Sequence, residues 1–148
     1  MPPSIQLRPI TADNWEEVVA LRLSPGQKHL FTPNWYALLQ AIYEGGQTLA
    51  IYAQDTLVGF TRVHLVPEAG DAHIFSFMID QDYQGFGYGR TALRELVALL
   101  RAQDGIHTLW LTVSPNNFSA VQLFESEGFL ATGDMDFDEA VYVMRVTT

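Results

Sequence analysis

The chain of 148 residues contains no cysteine. Disulfide bonds, thiolate metal sites and a cysteine nucleophile are therefore excluded, and the composition fits a reducing compartment, so we expect a cytoplasmic protein. No apolar run approaches the roughly 20 residues that a membrane-spanning helix needs. The first residues, Met-Pro-Pro-Ser, lack a basic region followed by an apolar one. We therefore expect neither a signal peptide nor a membrane partner.

Basic residues are scarce, with 8 Lys and Arg against 17 Asp and Glu, which gives a formal net charge of −9. Such a chain repels phosphate backbones, so we expect no nucleic-acid partner. It would attract a cationic substrate, although an acidic surface also serves solubility alone. Hydrophobic residues make up 48% and charged residues 17%, as is typical of a globular protein. The length suits one domain over residues 1–148.

Two kinds of catalytic centre find no support in the sequence. The four histidines, His29, His64, His73 and His107, are scattered, with no two at the spacing of metal ligands, so we predict no metal site. Ser114 lacks the G-x-S-x-G sequence in which a hydrolase presents its nucleophile.

Hydrophobic periodicity predicts strands that alternate with helices. Three helices carry apolar residues at helical spacing, namely Trp15, Val18 and Val19; Trp35, Leu38, Leu39 and Ile42; and Leu93, Leu96, Val97 and Leu100. The predicted order is βααβββαβαββ, an α/β (α+β) layer sandwich with a mixed sheet and helices on both faces. The predicted elements are a strand at 5–10, a helix capped by Thr11 or Asp13 and running through Leu23, a helix from Thr32-Pro33 to Gly45-Gly46, strands at 48–54, 57–66 and 72–80, a helix after Gly89, a strand at 108–114, a helix from Asn117 to Gly128, and two strands around a turn at 136–138.

The most informative segment joins the predicted strand at 72–80 to the helix that follows it. Its three glycines allow positive φ and remove side chains that would block a ligand. The amides of the first helical turn lack partners, and the helix dipole favours an anion there. Together these features predict a phosphate site. Arg90, a cation in the first turn, is unfavourable for the helix alone, and a bound pyrophosphate would offset its cost. The segment reads Gln84-Gly85-Phe86-Gly87-Tyr88-Gly89-Arg90.

Several interpretations of this loop compete. A Walker A loop would end in Gly-Lys-Ser/Thr, but this loop ends in Gly89-Arg90-Thr91, which argues against a nucleotide triphosphatase. Gly87, Gly89 and Ala92 satisfy the G-x-G-x-x-A pattern of a Rossmann-type nucleotide binder, but the next strand ends in Ser-Pro-Asn instead of the expected acidic residue. A glycine-rich turn that holds no ligand is the remaining structural alternative.

The spacing Gln84-x-x-Gly87-x-Gly89 resembles the signature of GNAT acetyltransferases, Gln/Arg-x-x-Gly-x-Gly/Ala. The stretch Asn117-x-x-Ala120-x-x-Leu123-Phe124, closing with Gly128-Phe129, is similar to the family's second conserved segment. The resemblance covers nearly the whole chain. Within the superfamily, the chain resembles the bacterial diamine and spermine/spermidine acetyltransferase group, on the segments Asn14-Trp15-Glu16-Glu17, Gln27, Phe31 and Asn34, Val58-Gly59-Phe60, Phe77-Met78-Ile79-Asp80, Thr132-Gly133 and Glu139.

The resemblance implies a GNAT fold with a mostly antiparallel seven-stranded sheet, and acetyl-CoA as the cosubstrate. It implies that the loop residues Gln84, Gly85, Phe86, Gly87, Tyr88, Gly89 and Arg90 bind the pyrophosphate, and that Met78 and Ile79 offer backbone groups to pantetheine. The strands flanking the loop helix would splay apart to admit it. Asn117 and Phe124 would also contact the cofactor; they are seven residues apart and share one helix face, and Asn117 alternatively serves only as an N-cap. A homodimer is a further implication.

Acetyl transfer to an amine requires the amine to lose a proton. At pH 7 this costs an alkylamine about 4.6 kcal/mol, whereas releasing a thiolate costs about 2 kcal/mol. In the family, a Tyr proposed to protonate the sulfur usually stands where this chain has Phe124. Three alternatives follow. The transfer proceeds without an acid, another group or a water takes the place of the Tyr, or the protein is a non-catalytic acyl-CoA-binding or sensing module.

His73 stands where many family members place a strand glutamate, and we take it as the first candidate for the base because its ordinary pKa is about 6.5. An ordinary half-exposed strand histidine is the alternative. Glu139, Asp71 and His64 are further candidates. Four acidic residues lie near the final predicted turn: Asp134, Asp136, Asp138 and Glu139. Either they attract a polycation or they form an ordinary solvated turn. We predict an N-acetyltransferase acting on a small primary amine, with a polyamine first.

Overall fold

A computed structural model describes residues 4–23 and 33–146 of the chain. The order of its helices and strands is the predicted βααβββαβαββ. None of the helices in these ranges is long and apolar enough to cross a membrane. The elements are β1 (Ile5–Pro9), α1 (Trp15–Ala20), α2 (Asn34–Glu44), β2 (Gln47–Ala53), β3 (Thr56–Val66), β4 (Asp71–Ile79), α3 (Tyr88–Arg101), β5 (Thr108–Val113), α4 (Phe118–Ser126), β6 (Leu130–Asp136) and β7 (Glu139–Arg145).

The strands form one seven-stranded sheet in the order β1-β2-β3-β4-β5-β7-β6. Every neighbouring pair is antiparallel except β4 and β5, which are parallel. The loop and α3 make the crossover between these two strands, as a parallel pair requires. This confirms the predicted mixed sheet. A Rossmann fold is excluded, because its dinucleotide site needs a mostly parallel sheet.

Helices cover both faces of the sheet, as predicted. On one face, the buried stripe of α3 (Leu93, Leu96, Val97 and Leu100) packs in the larger core with Phe124 of α4. On the other face, Val18 of α1 and Ala37 of α2 pack in a smaller core with Phe60 of β3. The sheet is therefore buried from both sides near β2 and β3.

The first helix is shorter than predicted. A start at Thr11 or Asp13 and an end at Leu23 are wrong, because α1 contains only Trp15–Ala20. Asn14 precedes the helix, but its side chain bonds back to Thr11 N–H (2.7 Å) and Pro9 carbonyl (3.1 Å) instead of capping it. These local bonds hold residues 11–14 in a turn, because side-chain bonds to the backbone compete with helix formation.

Other boundaries move by a residue or two. Pro33 is the N-cap of α2 and not its first helical residue. The strand predicted to end at Asp80 ends at Ile79. Thr32 and the resemblance positions Gln27 and Phe31 lie outside the described residues.

Candidate active site

The loop between β4 and α3 leaves open space beside its backbone. Gly85 and Gly87 have φ values of 86° and 83°, which a residue with a side chain adopts only at a cost. A Cβ placed on either glycine would meet nothing within 4 Å. Gly87 is the N-cap of the 14-residue α3, whose first amides have no partners within the helix. Backbone and dipole together therefore suit a phosphate group.

Gln84 fixes this turn against the sheet, and Gly89 leaves space beside it. Gln84 donates a hydrogen bond from Nε2 to the carbonyl of Ile79, 2.9 Å away. Gly89 has an ordinary φ, and a Cβ there would lie 3.6 Å from the side chains of Ile79 and Leu123. The backbone conformation at position 89 therefore does not require a glycine. The missing side chain instead leaves space between β4 and α4. Phe86 is exposed, and its ring lies 5.9 Å from that of Tyr88.

Arg90 is engaged by α4. Its Nη1 donates to the hydroxyl of Ser126 (3.0 Å) and to the carboxylate of Glu127 (2.5 Å). Arg94, one turn further along α3, also pairs with Glu127 (2.6 Å). These guanidinium groups, Arg94 first, hold the pKa of Glu127 below its ordinary value, against the opposing effect of burial. Arg90 therefore ties the start of α3 to the end of α4.

The strands β4 and β5 pair only from Asp71–Thr108 to Ile74–Leu111 and then diverge. The divergence leaves the β5-facing edge of β4 without a strand partner beyond Ile74, as the resemblance implied. A cavity of about 260 Å³, here the loop cavity, opens from this edge to the glycine loop. It is lined by Leu23, Phe77, Met78, Ile79, Tyr83, Gln84, Gly85, Gly89, Asn117, Ser119, Ala120, Leu123 and Phe124.

A smaller cavity of about 80 Å³, the gap cavity, lies between the diverging strands. It shares Phe77, Asn117, Ala120 and Phe124 with the loop cavity. The buried ring of Phe124 packs edge-on against Phe77 (6.3 Å between centroids). Asn117 is buried and accepts a bond from Ala120 N–H (3.4 Å), which makes it the N-cap of α4. Asn117 thus caps the helix and lines both cavities.

A third cavity of about 570 Å³, the acidic cavity, lies beyond the gap on the sheet face that carries α2. It shares Ile74, Phe75, Ser76, Leu111, Thr112 and Glu139 with the gap cavity. Among the described residues, three carboxylates, Glu44, Asp136 and Glu139, line it against one guanidinium, Arg62. Its remaining lining residues are Gln40, His64, His73, Trp110 and Val141.

Glu139 lines both the gap cavity and the acidic cavity. Thr112 of β5 donates a hydrogen bond from Oγ1 to Glu139 Oε1 at 2.8 Å. The bond fixes the carboxylate at the start of β7, next to the opening between β4 and β5. Asp134 and Asp138, predicted with it as one acidic group, line none of these three cavities.

His73 also lines the acidic cavity. It is opposite His64 in the β3–β4 register and stacks on Phe75 (5.7 Å between centroids). Phe77 is the fourth residue after it, about 13 Å along an extended strand. Burial lowers the pKa of His73 below 6.5, Asp71 opposes this, and His64 adds to it. Burial thus favours the neutral imidazole. His73 does not line the gap cavity, although the next residue of β4, Ile74, does.

Two buried charged residues near the site were not predicted. Asp80 accepts bonds from the backbone N–H groups of Arg22 (2.7 Å) and Asp82 (3.0 Å), which anchors the chain after α1 to the end of β4. Arg62 donates to the carbonyl of Gly45 (2.7 Å) and lies 4.7 Å from the ring of Phe75, while its buried Nε has no partner among the described residues. Asp82 is close to Asp80 in the chain, but Arg22 and Gly45 are distant partners, so no local sequence signal marks the burial of these two side chains.

The profile of the Acetyltransferase (GNAT) family matches residues 11–129. The chain belongs to the GNAT family. It is 28% identical over 145 residues to the spermine/spermidine N(1)-acetyltransferase of Bacillus subtilis, covering 91% of this chain and 93% of that one. It is 42% identical over 59 residues to the ribosomal protein bS18-alanine N-acetyltransferase of Escherichia coli, covering 40% and 39%. Its fold is similar to that of a Vibrio cholerae spermidine N-acetyltransferase in complex with CoA and spermine, with a TM-score of 0.77, 18% identity and 95% coverage of each chain.

The protein is therefore an acetyl-CoA-dependent N-acetyltransferase. As a GNAT enzyme it needs a site for the diphosphate of CoA, and the open glycine turn at the start of α3 fits that group. It also needs a route from cofactor to acceptor. In this structure, the gap cavity between β4 and β5 shares lining residues with the loop cavity on one side and the acidic cavity on the other.

Proposed function

We propose that this GNAT enzyme acetylates a primary amine of a polyamine, which binds in the acidic cavity while acetyl-CoA binds in the loop cavity. The observation that carries the proposal is the series of three cavities through the sheet. Each shares lining residues with the next, so an acyl group delivered along β4 meets an amine that enters from the opposite face. The substrates then approach without competing for one entrance.

On the cofactor side, the amides around Gly85 to Arg90 hold the diphosphate. Met78 and Ile79 line the loop cavity. The backbone of Ile79 faces the unpaired edge of β4, where its carbonyl accepts from Gln84 and its N–H can bond a pantetheine amide. Asn117 and Phe124 bound the end of this cavity nearest the gap. The thioester carbonyl then lies near the gap, where a backbone N–H of β4 can stabilise the negative charge that develops on its oxygen.

The charge of the acidic cavity favours a cation. Three carboxylates face one guanidinium, which already bonds to Gly45 and stacks on Phe75. A polyamine carries several ammonium groups, so one can approach the gap while others remain beside the carboxylates. The relative from Bacillus subtilis, which matches nearly the whole chain, is named for spermine and spermidine and supports the same acceptor class.

We assign Glu139 as the base that accepts the proton of the amine. The amine nitrogen attacks the thioester carbon, the carbon–sulfur bond breaks, and the proton released from nitrogen passes to a base. In the part of the chain that the structure describes, Glu139 is the one carboxylate that lines both the gap and the acidic cavity, and Thr112 holds it in place. His73, our first candidate from the sequence, lines the acidic cavity but not the gap cavity, so in this proposal it takes the proton only through water.

The test is a thiol-release assay with acetyl-CoA and a panel of amines: spermine, spermidine, a diamine, a monoamine and a peptide with an N-terminal alanine. We expect polyamines to give the highest kcat/KM. Glu139→Gln should lower kcat at least a hundredfold, the lower end of the range for a lost acid–base catalyst. The matched control is Asp134→Asn, the same charge change in the same hairpin but outside the cavities, and it should leave kcat unchanged.

Other results contradict separate parts of the proposal. Preference for the peptide would replace the acceptor class and leave the acetyltransferase assignment intact. Equal losses of kcat in Glu139→Gln and Asp134→Asn would mean that Glu139 contributes only its negative charge and is not the base. Acetyl-CoA binding without thiol release for any amine would favour the non-catalytic sensing module.

A further inference from the structure

Trp110 of β5 forms an aromatic part of the wall of the acidic cavity. The residues of β5 alternate between partly exposed and buried, and Trp110 is partly exposed, like Thr112. The buried residues between them and beyond, such as Leu109 and Val113, belong to the larger core on the opposite face of the sheet. Because successive strand residues point to opposite faces, the sheet directs the indole of Trp110 toward the acidic cavity.

A carboxylate fixes this indole. Trp110 donates a hydrogen bond from Nε1 to Asp71 Oδ1 at 3.0 Å. Trp110 is opposite His73 in the parallel β4–β5 register, so the bond runs diagonally to the residue two positions earlier on β4. A hydrogen bond to a charged acceptor is stronger than one between neutral groups, and hydrogen bonds polarise the groups that they join. The bond therefore holds the ring in one orientation and increases the negative charge on its faces.

The ring of Trp110 is open to a cation, whereas the ring of Phe75 in the same cavity already holds one. The guanidinium of Arg62 lies 4.7 Å from the centroid of Phe75, and His73 stacks on the same ring at 5.7 Å between centroids. No guanidinium or ammonium group of the described residues lies over the ring of Trp110. Tryptophan attracts cations more strongly than tyrosine or phenylalanine, so Trp110 is the ring best suited to a cation from outside the chain.

We infer that the indole face of Trp110 binds a second ammonium group of the acceptor and thereby selects diamines and polyamines over monoamines. The inference rests on the proposed function, in which the reacting amine lies beside Glu139. Thr112, which bonds Glu139 (2.8 Å), is two residues from Trp110, about 6.6 Å along β5. Three bonds of an extended chain span up to about 3.6 Å, so the five bonds between the nitrogens of butane-1,4-diamine span about 6 Å.

A diamine of this length therefore reaches from Glu139 to the indole. A cation is attracted to an aromatic ring from within about 6 Å of the ring centroid. The charge of Asp71 at the indole nitrogen adds to this attraction, and Glu44 lines the same cavity from α2. A monoamine has no second charge, so it gains nothing from these groups when its amine lies beside Glu139.

Steady-state kinetics with butylamine and butane-1,4-diamine test the inference, because the two acceptors differ by a single ammonium group. Trp110→Leu should raise KM for butane-1,4-diamine and for spermidine about tenfold, the loss expected for a partly desolvated cation–π contact. It should leave KM for butylamine and kcat for all three amines unchanged. The matched control is Trp35→Leu, because Trp35 lies on α2 and lines a separate cavity. This control should behave like the wild type.

A second variant removes charge and keeps the ring. Asp71→Asn retains a side-chain oxygen that can accept from Trp110 but loses the negative charge. It should raise KM for butane-1,4-diamine about threefold, less than Trp110→Leu does. In the Trp110→Leu background the same change should have a smaller effect, because part of the contribution of Asp71 acts through the indole.

Fluorescence measures binding without turnover and without a Trp110 variant. The chain contains three tryptophans, Trp15, Trp35 and Trp110, so replacing the first two by Phe leaves Trp110 as the only emitter. We expect butane-1,4-diamine and spermidine to cause a saturable change in its emission. Butylamine at the same concentrations should cause none.

The outcomes separate this inference from the proposed function. If the wild type prefers butane-1,4-diamine to butylamine and Trp110→Leu keeps that preference, the inference is overturned and the acceptor class stands. An equal rise in KM for butylamine in Trp110→Leu also overturns it, because the loss would not depend on the second ammonium group. Emission that no diamine or polyamine changes overturns it as well. Diamines that alter the emission but are acetylated no faster than butylamine would support the ammonium site and contradict the proposed acceptor.

Discussion

Replacing Phe124 by Tyr should speed the reaction by a limited and calculable amount. Phe124 lines both the loop cavity and the gap cavity, so an added hydroxyl enters the region where the cofactor sulfur must lie. At pH 7, release of a thiolate of pKa about 8.5 costs about 2 kcal/mol. A proton donor can remove no more than this cost, which corresponds to at most about a 30-fold rise in kcat. The gain should shrink as the pH approaches the thiol pKa.

The assay measures kcat by thiol release at saturating acetyl-CoA and amine across a pH series, with single-turnover rates to isolate the chemical step. Phe124→Leu keeps the wall apolar and should show no gain. Phe129→Tyr adds a hydroxyl to a buried ring that packs on Phe124 at 5.9 Å but lines none of the three cavities, so it should lower stability without raising kcat. A folded Phe124→Tyr enzyme with unchanged or lower kcat would refute the reasoning.

Two further predictions concern stability and cofactor binding. Gly89→Ala places a methyl group 3.6 Å from Ile79 and Leu123, without a clash, so it should raise helix stability by up to about 1 kcal/mol while weakening CoA binding about tenfold. Thermal unfolding measures the stability and calorimetric titration measures the CoA affinity. A loss of stability would contradict this account. The pKa of His73 is lowered in the folded state, chiefly by burial, so the unfolded chain takes up this proton first as the pH falls below about 6.5. The His73→Gln variant should therefore lose less unfolding free energy than wild type as the pH falls from 6.5 through the lowered pKa. Chemical denaturation at each pH measures this free energy for both proteins. If it falls equally with pH in the two, the lowered pKa of His73 is wrong.

Local sequence signals determined the order of elements and the nature of the loop. Glycine at positions 85 and 87 is required by positive φ, and the stripe of α3 repeats at helical spacing, so both features can be predicted within a few residues of sequence. Asn117 likewise carries its helix-capping role in the sequence next to it. The α1 boundaries were wrong because Asn14 bonds back to Thr11 and Pro9, a competition that helix propensity does not reveal.

The tertiary structure alone decided which residues meet. Glu139 and His73 were both base candidates in the sequence, and only the sheet order places Glu139 beside Thr112 at the opening between β4 and β5. The burial of Arg62 and Asp80 depends on partners 17 and 58 residues away. The spacing of α2 predicted a helix but not which of its faces meets the sheet. Periodicity records the geometry of one element, whereas the cavities arise where separate strands diverge, and strand divergence leaves no mark on short stretches of sequence.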